Sequence, residues 1–437
     1  MNRKNFGGLA KFFTSAVAAT VLCSQLAEAG QSHPVVVLKR PMTITPHLLA
    51  DSVVPHPTAF AVAQEGNQVH VGGKFRLVED SDRLGSYPRN NLFAFNLASG
   101  AISDEFDPNP NGLIWALLRV GNAIYVGGEF NTIGGVHRQG LAKLDAVTGA
   151  VDPDFNANFN GGRVSEIRMV NGRLIVSGSF VKALVALDPD TGRDTRYIQF
   201  QIRGKLPLTT RKPEVFRFAV NPAGDRLVGV GNFMTVNGVN RHRAFMLTLG
   251  ETSATLNPWY YPPLDRKCRS NTPTRQPYIK DVDFSPDGSY FVLVATGFVP
   301  QTTAEIGTAI CDAAARFETD IPSPERPTWI NYTGGDTIHS VTITGPAVYV
   351  AGHFRWLNNP QGVDSAGPGA VNRRGVGAID PETGLALPWN PPAPSRQGGQ
   401  ELLPTGTGLW LMSDALKFNA EHHRGIALAP LPAWARH

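Results

Sequence analysis

Seven residues of mixed chemistry share one position of an internal repeat, near the start of the first strand of each copy. They are Phe60, Trp115, Ser165, Arg217, Asp281, His339 and Gln400. A purely structural position would tend to keep one residue type, so we interpret this set as a polar ligand site with Trp115 as a stacking surface. Arg217 and Gln400 would donate to an anion or a hydroxyl group. If the protein is an enzyme, Asp281 and His339 would form an acid/base pair.

A purely structural interpretation of the same residues remains open. Asp281 would pair with Arg217 of a neighbouring repeat, and His339 would be a solvated residue of a central channel. The two interpretations differ in whether these side chains converge on a common space.

A second candidate ligand site is the long loop that follows Phe354. It combines hydrogen-bond donors with an aromatic ring, as sites for sugars or carboxylates require. The ligand-binding residues that we expect there are Arg355, Trp356, Asn358 and Asn359. The alternative is that Asn358-Asn359-Pro360 is simply a turn.

The repeat that carries these residues has one strand, a short turn and a second strand ending in Gly-x-Phe, followed by Arg, Leu-Ala-x-Leu-Asp and Thr-Gly. Its anchoring aromatic residues are Phe75, Phe130, Phe180, Phe233, Phe298 and Phe354, and a degenerate seventh copy has Ala415 there. Units of this length with several short strands are typical of propeller blades. The sequence therefore predicts an all-β fold, a seven-bladed β-propeller over residues 30–437.

The two ends of the chain are expected to meet. The last copy stops after its third strand, and Val35 to Arg40 forms an additional strand before the first copy begins. We predict that this N-terminal strand closes the last blade and removes an open sheet edge. The alternative is a disordered N-terminal arm.

The pattern Val-Gly-Gly-x-Phe … Arg-x-x-Leu-Ala-x-Leu-Asp-x-x-Thr-Gly resembles the delta-sixty repeat of exported bacterial β-propellers. The segments Asp281 to Phe291 and His353 to Pro360 are similar to uncharacterised secreted propellers of actinobacteria. The resemblance covers nearly the whole predicted mature chain and implies export and a propeller fold. It implies no catalytic residues.

Ala378 to Gly384, followed by Trp389, resembles the tryptophan-docking motif of quinoprotein dehydrogenases. Those enzymes repeat the motif around the propeller, whereas here the tryptophan occurs once in this register and no vicinal cysteine pair is present. We therefore expect Trp389 to pack between blades, and we expect neither a cofactor nor a metal.

Residues 1–29 have the features of a signal peptide. Basic residues precede an apolar stretch from Phe12 to Leu22, and Ala27-Glu28-Ala29 presents small residues at a cleavage site. We expect a secreted or periplasmic protein. In such compartments two thiols commonly oxidise, so Cys268 and Cys311 are predicted to form a disulfide that ties two long loops of the fifth blade together.

Composition narrows the function classes. The 437 residues include 45 Gly and 34 Pro but only 17% charged residues, and the formal net charge is +4. This composition disfavours coiled-coil, disordered and multi-pass membrane classes, and the weak charge gives no general attraction to nucleic acid. We expect a monomer whose partner is an extracellular small molecule or a polysaccharide, without nucleic-acid binding or membrane insertion.

Three functional hypotheses follow. The first is binding of a glycan or cell-wall polymer on the loop-rich face of blades 5 and 6. The second is a polysaccharide hydrolase or lyase that uses Asp281 and His339 in the channel. The third is a protein-interaction scaffold, for which we expect a flat apolar patch.

Overall fold

Strands make up nearly all regular structure of this protein. The computed structural model describes Met1 and residues 31–207, 209–269 and 276–434. The only helices in these ranges are two short 3-10 helices, Pro262–Asp265 and Thr303–Glu305. The predicted all-β class is thus confirmed, while the predicted signal peptide, residues 1–29, lies outside the described residues.

The strands follow one another along the described chain with short connections. The first of them are β1 His47–Leu49, β2 Thr58–Glu65, β3 Gln68–Lys74, β4 Leu77–Glu79, β5 Ser86–Pro88, β6 Leu92–Asn96, β7 Ile114–Val120, β8 Ala123–Gly128, β9 Thr132–Ile133, β10 Val136–His137, β11 Leu141–Asp145, β12 Val164–Val170, β13 Arg173–Gly178, β14 Leu184–Leu187, β15 Ile202–Arg203, β16 Glu214–Val220, β17 Arg226–Asn232, β18 Thr235–Val236, β19 Val239–Asn240 and β20 Ala244–Leu249. The others are β21 Ala254–Leu256, β22 Cys268–Arg269, β23 Ile279–Phe284, β24 Tyr290–Ala295, β25 Val299–Pro300, β26 Ala313–Glu318, β27 Trp329–Tyr332, β28 Ile338–Ile343, β29 Val348–Gly352, β30 Trp356–Leu357, β31 Val371–Asn372, β32 Val376–Ile379, β33 Glu401–Thr405, β34 Gly408–Met412, β35 Lys417–Phe418, β36 Glu421–His422 and β37 Ile426–Pro430.

Seven antiparallel sheets of long strands occur in the described residues, and we number them sheets 1 to 7 in chain order. They are β2-β3-β6, β7-β8-β11, β12-β13-β14, β16-β17-β20-β21, β23-β24-β26-β27, β28-β29-β32 and β33-β34-β37. The remaining short strands form small sheets in the connections, namely β1-β4-β5, β9-β10, β15-β18-β19, β22-β25, β30-β31 and β35-β36.

Sheets 4 and 5 have a complete fourth strand. In sheets 1, 2, 3 and 6 a single β-bridge beside the third strand takes the place of the fourth strand. These bridges are Phe95–Ile102, Leu144–Val151, Leu187–Asp194 and Ile379–Ala386. In sheet 7 the N-terminal segment runs beside β37, where the backbone N–H groups of Leu38 and Met42 donate to the carbonyls of Pro430 and Leu428. Each of the seven sheets therefore has a chain segment at its fourth position.

The N-terminal segment differs from the prediction in one respect. Residues 35–40 lie beside the last sheet but do not form a regular strand. The two backbone hydrogen bonds are four residues apart, and Pro34 and Pro41, which have no N–H group, flank the segment. Side chains hold it as well, because Tyr349 accepts from the Val37 N–H at 3.0 Å and Trp389 donates to the Leu38 carbonyl at 3.3 Å.

Neighbouring sheets share the hydrophobic core. The first strand of each sheet packs against the first strand of the next, and β33 of sheet 7 packs against β2 of sheet 1. Each large core cluster consists mainly of residues from two adjacent sheets. Between sheets 7 and 1, for example, Trp410 contacts Phe95 edge-on at 6.1 Å. As predicted, Trp389 is buried between sheets 6 and 7.

The Gly-x-Phe motif has a steric cause. In sheets 1 to 6 the pairing of the first two strands shifts by one residue near the start of the first strand. At this bulge the backbones approach closely, so a Cβ atom on Gly128 would lie 2.1 Å from the carbonyl oxygen of Leu113. The phenylalanine that follows, such as Phe130, is buried in the core. The motif therefore marks a bulge and its neighbouring core residue.

Recurring arginines and aspartates stabilise the repeat through hydrogen bonds. Each of Arg89, Arg138, Arg241 and Arg373 donates to the carbonyl of the preceding residue and to a carbonyl 14 to 16 residues further on. Asp145 accepts from the backbone N–H and hydroxyl of Thr148 in its turn, and Asp380 does the same with Thr383.

Candidate functional site

The bulges define a ring of equivalent residues where the sheets meet. The unpaired residue of each bulge is Phe60, Trp115, Ser165, Phe216, Lys280 or His339 in sheets 1 to 6. The predicted set agrees with this ring in sheets 1, 2, 3 and 6. In sheets 4 and 5 it is wrong by one residue, since Arg217 and Asp281 follow the bulge and pair with Val230 and Val294.

Arg217 and Asp281 therefore belong to the next layer of the ring. Their equivalents by strand pairing are Ala61, Ala116, Glu166, Ser340 and Glu401. The one-residue correction places two further carboxylates, Glu166 and Glu401, in the same layer as Arg217 and Asp281. We name Glu166, Arg217, Asp281 and Glu401 the charged layer.

Arg217 organises the charged layer. Its Nη1 donates to Glu166 Oε2 at 2.6 Å, and its Nη2 forms an ion pair with Glu401 Oε2 at 2.9 Å. These contacts join sheets 3, 4 and 7 across the centre of the molecule. Arg168 forms an ion pair with the other oxygen of Glu166, with Nε and Oε1 2.8 Å apart. The two neighbouring carboxylates raise the pKa of Arg217 further above its usual value than burial lowers it.

Asp281 and Asp283 connect sheet 5 to sheet 6. Asp281 Oδ2 accepts from the Val341 N–H at 3.0 Å, and Asp283 Oδ2 accepts from the Ile343 N–H at 2.8 Å. Burial nevertheless raises the pKa of Asp281 to about 6 and that of Asp283 to about 7. Burial likewise raises the pKa of Glu401 to about 7, although Arg217 opposes this increase. These three carboxyl groups therefore titrate close to neutral pH.

A cavity of about 640 Å³ lies against these groups. Glu166, Arg168, Arg217, Asp281, Asp283 and Glu401 all line it. Its other walls include the hairpin turns at Gly66-Asn67 and Thr405 to Thr407, and also Gln31 and Trp434. The cavity thus reaches the end of the channel where β2 and β33 turn back, which is opposite to the end that carries the bulges.

At the bulge end, aromatic and basic side chains contact one another. Trp115 stacks on Phe60 with ring centroids 4.1 Å apart, and the Arg163 guanidinium lies 4.8 Å from the Trp115 ring. The predicted stacking surface of Trp115 is therefore already covered by two neighbours. Arg163 is itself paired with Glu129 and Glu214.

The two members of the predicted acid/base pair belong to different layers and bond different partners. Asp281 lies in the charged layer, whereas His339 belongs to the bulge ring and its Nδ1 accepts from the Gln400 amide at 3.1 Å. Burial and the positive charge of Lys280 lower the pKa of His339 to about 3. The imidazole is thus neutral near pH 7 and is a weak base, unlike the carboxyl groups beneath it.

The loop that follows Phe354 uses its polar groups for its own structure. Arg355 donates to Asp336 through Nε at 2.7 Å and also pairs with Asp364, and its guanidinium lies 4.3 Å from the Trp356 ring. Asn359 is buried and bonds the carbonyls of Thr333 and Ser365.

Asn358 also acts as a turn residue, as in the alternative interpretation. It has a positive φ of 53°, and its side-chain oxygen accepts from the Ala386 N–H at 3.0 Å. Both amides of the Asn-Asn-Pro sequence are thus engaged within the protein, which leaves few free donors for a ligand on this loop.

The predicted disulfide is present. Cys268 and Cys311 are bonded with a Cα–Cα distance of 5.8 Å, and Ala309 packs beside them. The bridge ties β22 to the loop between β25 and β26, as expected from the two long connections of the fifth repeat.

Sequence reasoning missed four charged residues of the channel, Glu166, Arg168, Asp283 and Glu401, and also Lys280 of the bulge ring. A signal was available in sheet 4, where Gly231 pairs opposite the bulge as Gly128 does in sheet 2, so alignment on this glycine gives the correct register there. In sheet 5 this position is Ala295, which gives no such signal. Within the described ranges, no group of three or more His, Cys, Asp or Glu residues is placed to hold a metal ion. No helix in those ranges has the length and apolarity to cross a membrane.

Comparison with known proteins supports the class of fold. A family model described as a domain of unknown function, beta-propeller (DUF5122), matches residues 122–155, which contain β8 to β11. None of the curated proteins matches the chain. Among solved structures, the chain is similar to the crystal structure of the computationally designed Ika8 protein, with 11% identity, a TM-score of 0.48 and coverage of 88% of this chain and 98% of that chain. The match to the family model and the succession of sheets indicate a protein of the β-propeller type.

Proposed function

We propose that the protein is an exported seven-bladed β-propeller that binds a polyhydroxylated ligand, such as the end of a glycan, in its central channel. The blade number is supported by the seven sheets, each with a chain segment at its fourth position. Export is supported by the signal-like pattern of residues 1–29 and by the disulfide.

One observation carries the binding proposal: the 640 Å³ cavity is lined by four carboxylates and two arginines. This volume is in the range of small-ligand sites, which is roughly 300 to 1,000 Å³. Carboxylates accept and guanidinium groups donate hydrogen bonds, so the lining suits the hydroxyl groups of a sugar. The ligand class is therefore the one expected from the sequence, but we place it in the channel rather than on the loop that follows Phe354.

A binding screen with a matched pair of variants tests this function. We expect a glycan or cell-wall fraction to bind wild-type protein, and Glu401→Gln to weaken binding at least tenfold because the charged layer loses one acceptor. Glu105→Gln is the control, since Glu105 is exposed and distant from the cavity lining. Equal binding by wild type and Glu401→Gln, at unchanged thermal stability, would place the ligand elsewhere.

The raised pKa values favour a second candidate function, hydrolysis or lyase cleavage of the bound glycan. Carboxyl groups with a pKa of about 7, as for Asp283 and Glu401, still hold protons near neutral pH and so can act as general acids. The test is release of new chain ends from a glycan that binds. Activity that is lost in Asp283→Asn while binding persists would support an enzyme, and binding without any cleavage would reject it.

A further inference from the structure

The bulge end of the channel carries a lysine without an electrostatic partner. Lys280 is the bulge residue of sheet 5, and its ammonium lies 4.8 Å from the centroid of the Phe216 ring. In the described parts of the chain, no carboxylate lies within 4 Å of this ammonium and no acceptor is hydrogen-bonded to it. By contrast, Arg163 and Arg217 nearby are each paired with two glutamates.

The surroundings of Lys280 are electropositive. Burial, together with Arg163, Arg211 and Arg217, lowers the pKa of Lys280 to about 8, and only Glu214 opposes this decrease. The group is still mostly protonated at pH 7. A partly buried cation that lacks a counter-charge costs free energy, which an incoming anion would recover.

His339 adds a neutral donor beside this lysine. The Gln400 amide nitrogen lies 3.1 Å from His339 Nδ1, and the imidazole tautomer that accepts from this amide carries its proton on Nε2. Lys280 and His339 occupy the same bulge position in the adjacent sheets 5 and 6, whose first strands pack against each other, so both side chains belong to the same end of the channel. The Lys280 ammonium and the His339 imidazole, from adjacent sheets, can thus both donate hydrogen bonds to a ligand.

A basic loop forms the rim of the same end. Lys205, Arg211 and Lys212 are exposed on the segment that enters β16, directly before the bulge of sheet 4. The buried Asn232 fixes this loop, since its Nδ2 donates to the carbonyl of Lys212 at 2.9 Å and its Oδ1 accepts from the Leu206 N–H at 3.0 Å. The rim charges are therefore held in place near the channel.

We propose that Lys280, His339 and the rim residue Arg211 form an oxyanion-binding site, which takes a carboxylate or sulfate group of an acidic ligand. We name these three residues the basic entrance. The site is separate from the cavity described above, which lies at the opposite end and whose carboxylates would repel an anion. Charge-assisted hydrogen bonds from an ammonium and a guanidinium are the usual means of holding such a group.

Titration with defined probes tests the basic entrance. Galacturonate, inorganic sulfate and neutral galactose are added at pH 7 to protein with ¹³C-dimethylated lysines, and the Lys280 resonance is followed by NMR. We expect either anion to shift this resonance and to raise the pKa of Lys280, whereas galactose leaves both unchanged. The anion that binds more tightly identifies the source of the charged group.

Variants separate this site from the channel cavity. We expect Lys280→Met to weaken anion binding at least tenfold, measured by calorimetry, and Lys74→Met to change it less than twofold, because Lys74 is exposed at the end of β3 in sheet 1. Glu401→Gln should also leave anion binding within twofold, so failure of the glycan proposal would not affect this result. The proposed site would be contradicted if Lys280→Met bound the anions as tightly as wild type, or if galactose bound as strongly as galacturonate.

Discussion

Asp283 shows how a single side chain in the channel couples charge to stability. Its carboxylate bonds the Ile343 N–H and the Thr342 hydroxyl, and both contacts favour the charged form. Burial and the nearby Asp281 favour the neutral form more strongly, which raises the pKa of Asp283 to about 7. Folded protein therefore holds a proton here that the unfolded chain releases above pH 4.

This difference predicts the sign of a pH effect. Because the folded pKa is the higher one, the contribution of Asp283 is fully present below pH 4 and is lost as the pH rises towards 7. The full effect is on the order of 4 kcal/mol. Between pH 4 and 7 we expect the unfolding free energy of Asp283→Asn to fall less than that of wild type. Urea denaturation at fixed pH values measures this difference.

Asp145→Asn provides the control for that slope. The pKa of this turn carboxylate is lowered by its hydrogen bonds with Thr148, so it titrates below pH 4 in the folded protein and below pH 5 when unfolded. Its removal should leave the slope between pH 5 and 7 unchanged. Parallel pH profiles for wild type and Asp283→Asn would show that Asp283 does not titrate in this range.

At the scale of the structural element, the bulge positions the site. In sheets 1 to 6 the extra residue near the start of the first strand shifts the side chains that follow it by one position, and Glu166, Arg217 and Asp281 thereby occupy the same layer. The bulge brings two backbones close together, and in five of the six bulged sheets a glycine opposite the bulge, such as Gly128, permits this approach. A substitution of this glycine is therefore expected to displace the paired strands as a whole rather than to remove a single contact.

We expect Gly128→Ala to destabilise the protein by roughly 1 to 3 kcal/mol, because the new Cβ would meet the Leu113 carbonyl and force the strands apart. Gly406→Ala is the matched control. The nearest atom to its Cβ is a flexible Gln31 side chain at 3.6 Å, so we expect a change within about 0.5 kcal/mol. Urea denaturation followed by tryptophan fluorescence compares the two, and similar midpoints for both variants would contradict the steric explanation.

At the scale of the whole molecule, the two ends of the chain complete one sheet. The N-terminal segment covers the edge of β37 through Leu38 and Met42, and Tyr349 and Trp389 fix it from sheet 6. Contacts between sheet 7 and sheet 1 connect the last repeat to the first. An uncovered edge at β37 would expose unpaired backbone groups that can pair with another molecule.

This arrangement predicts that a chain beginning at Thr43 is less stable than one beginning at Gln31. We expect its thermal midpoint to fall by at least about 2 °C, since roughly 1 kcal/mol or more is lost with the backbone hydrogen bonds. We also expect dimers or larger species in light scattering, because the edge of β37 becomes free. An unchanged midpoint together with a monodisperse monomer would show that the segment does not contribute to closure.

The sequence predicted much of this architecture because its signals are local. The anchoring phenylalanine is buried in each of the first six copies, and the cysteine pair lies in two long connections of one repeat. The turn interpretation of Asn358 also agrees with the structure. By contrast, the predicted register of the channel residues was wrong by one position in sheets 4 and 5. The reason is that one inserted bulge residue moves every later side chain by one position.

By itself, then, the sequence determined the all-β class, the repeat and the disulfide, since strand patterns, turn residues and core positions are encoded within each copy. Only the tertiary structure decided which charges meet. Arg217 pairs with glutamates of sheets 3 and 7, and Lys280 has no such partner, although each lies near the start of the first strand of its sheet. The physical reason is that these contacts form between repeats, across a central space whose side chains come from all around the molecule.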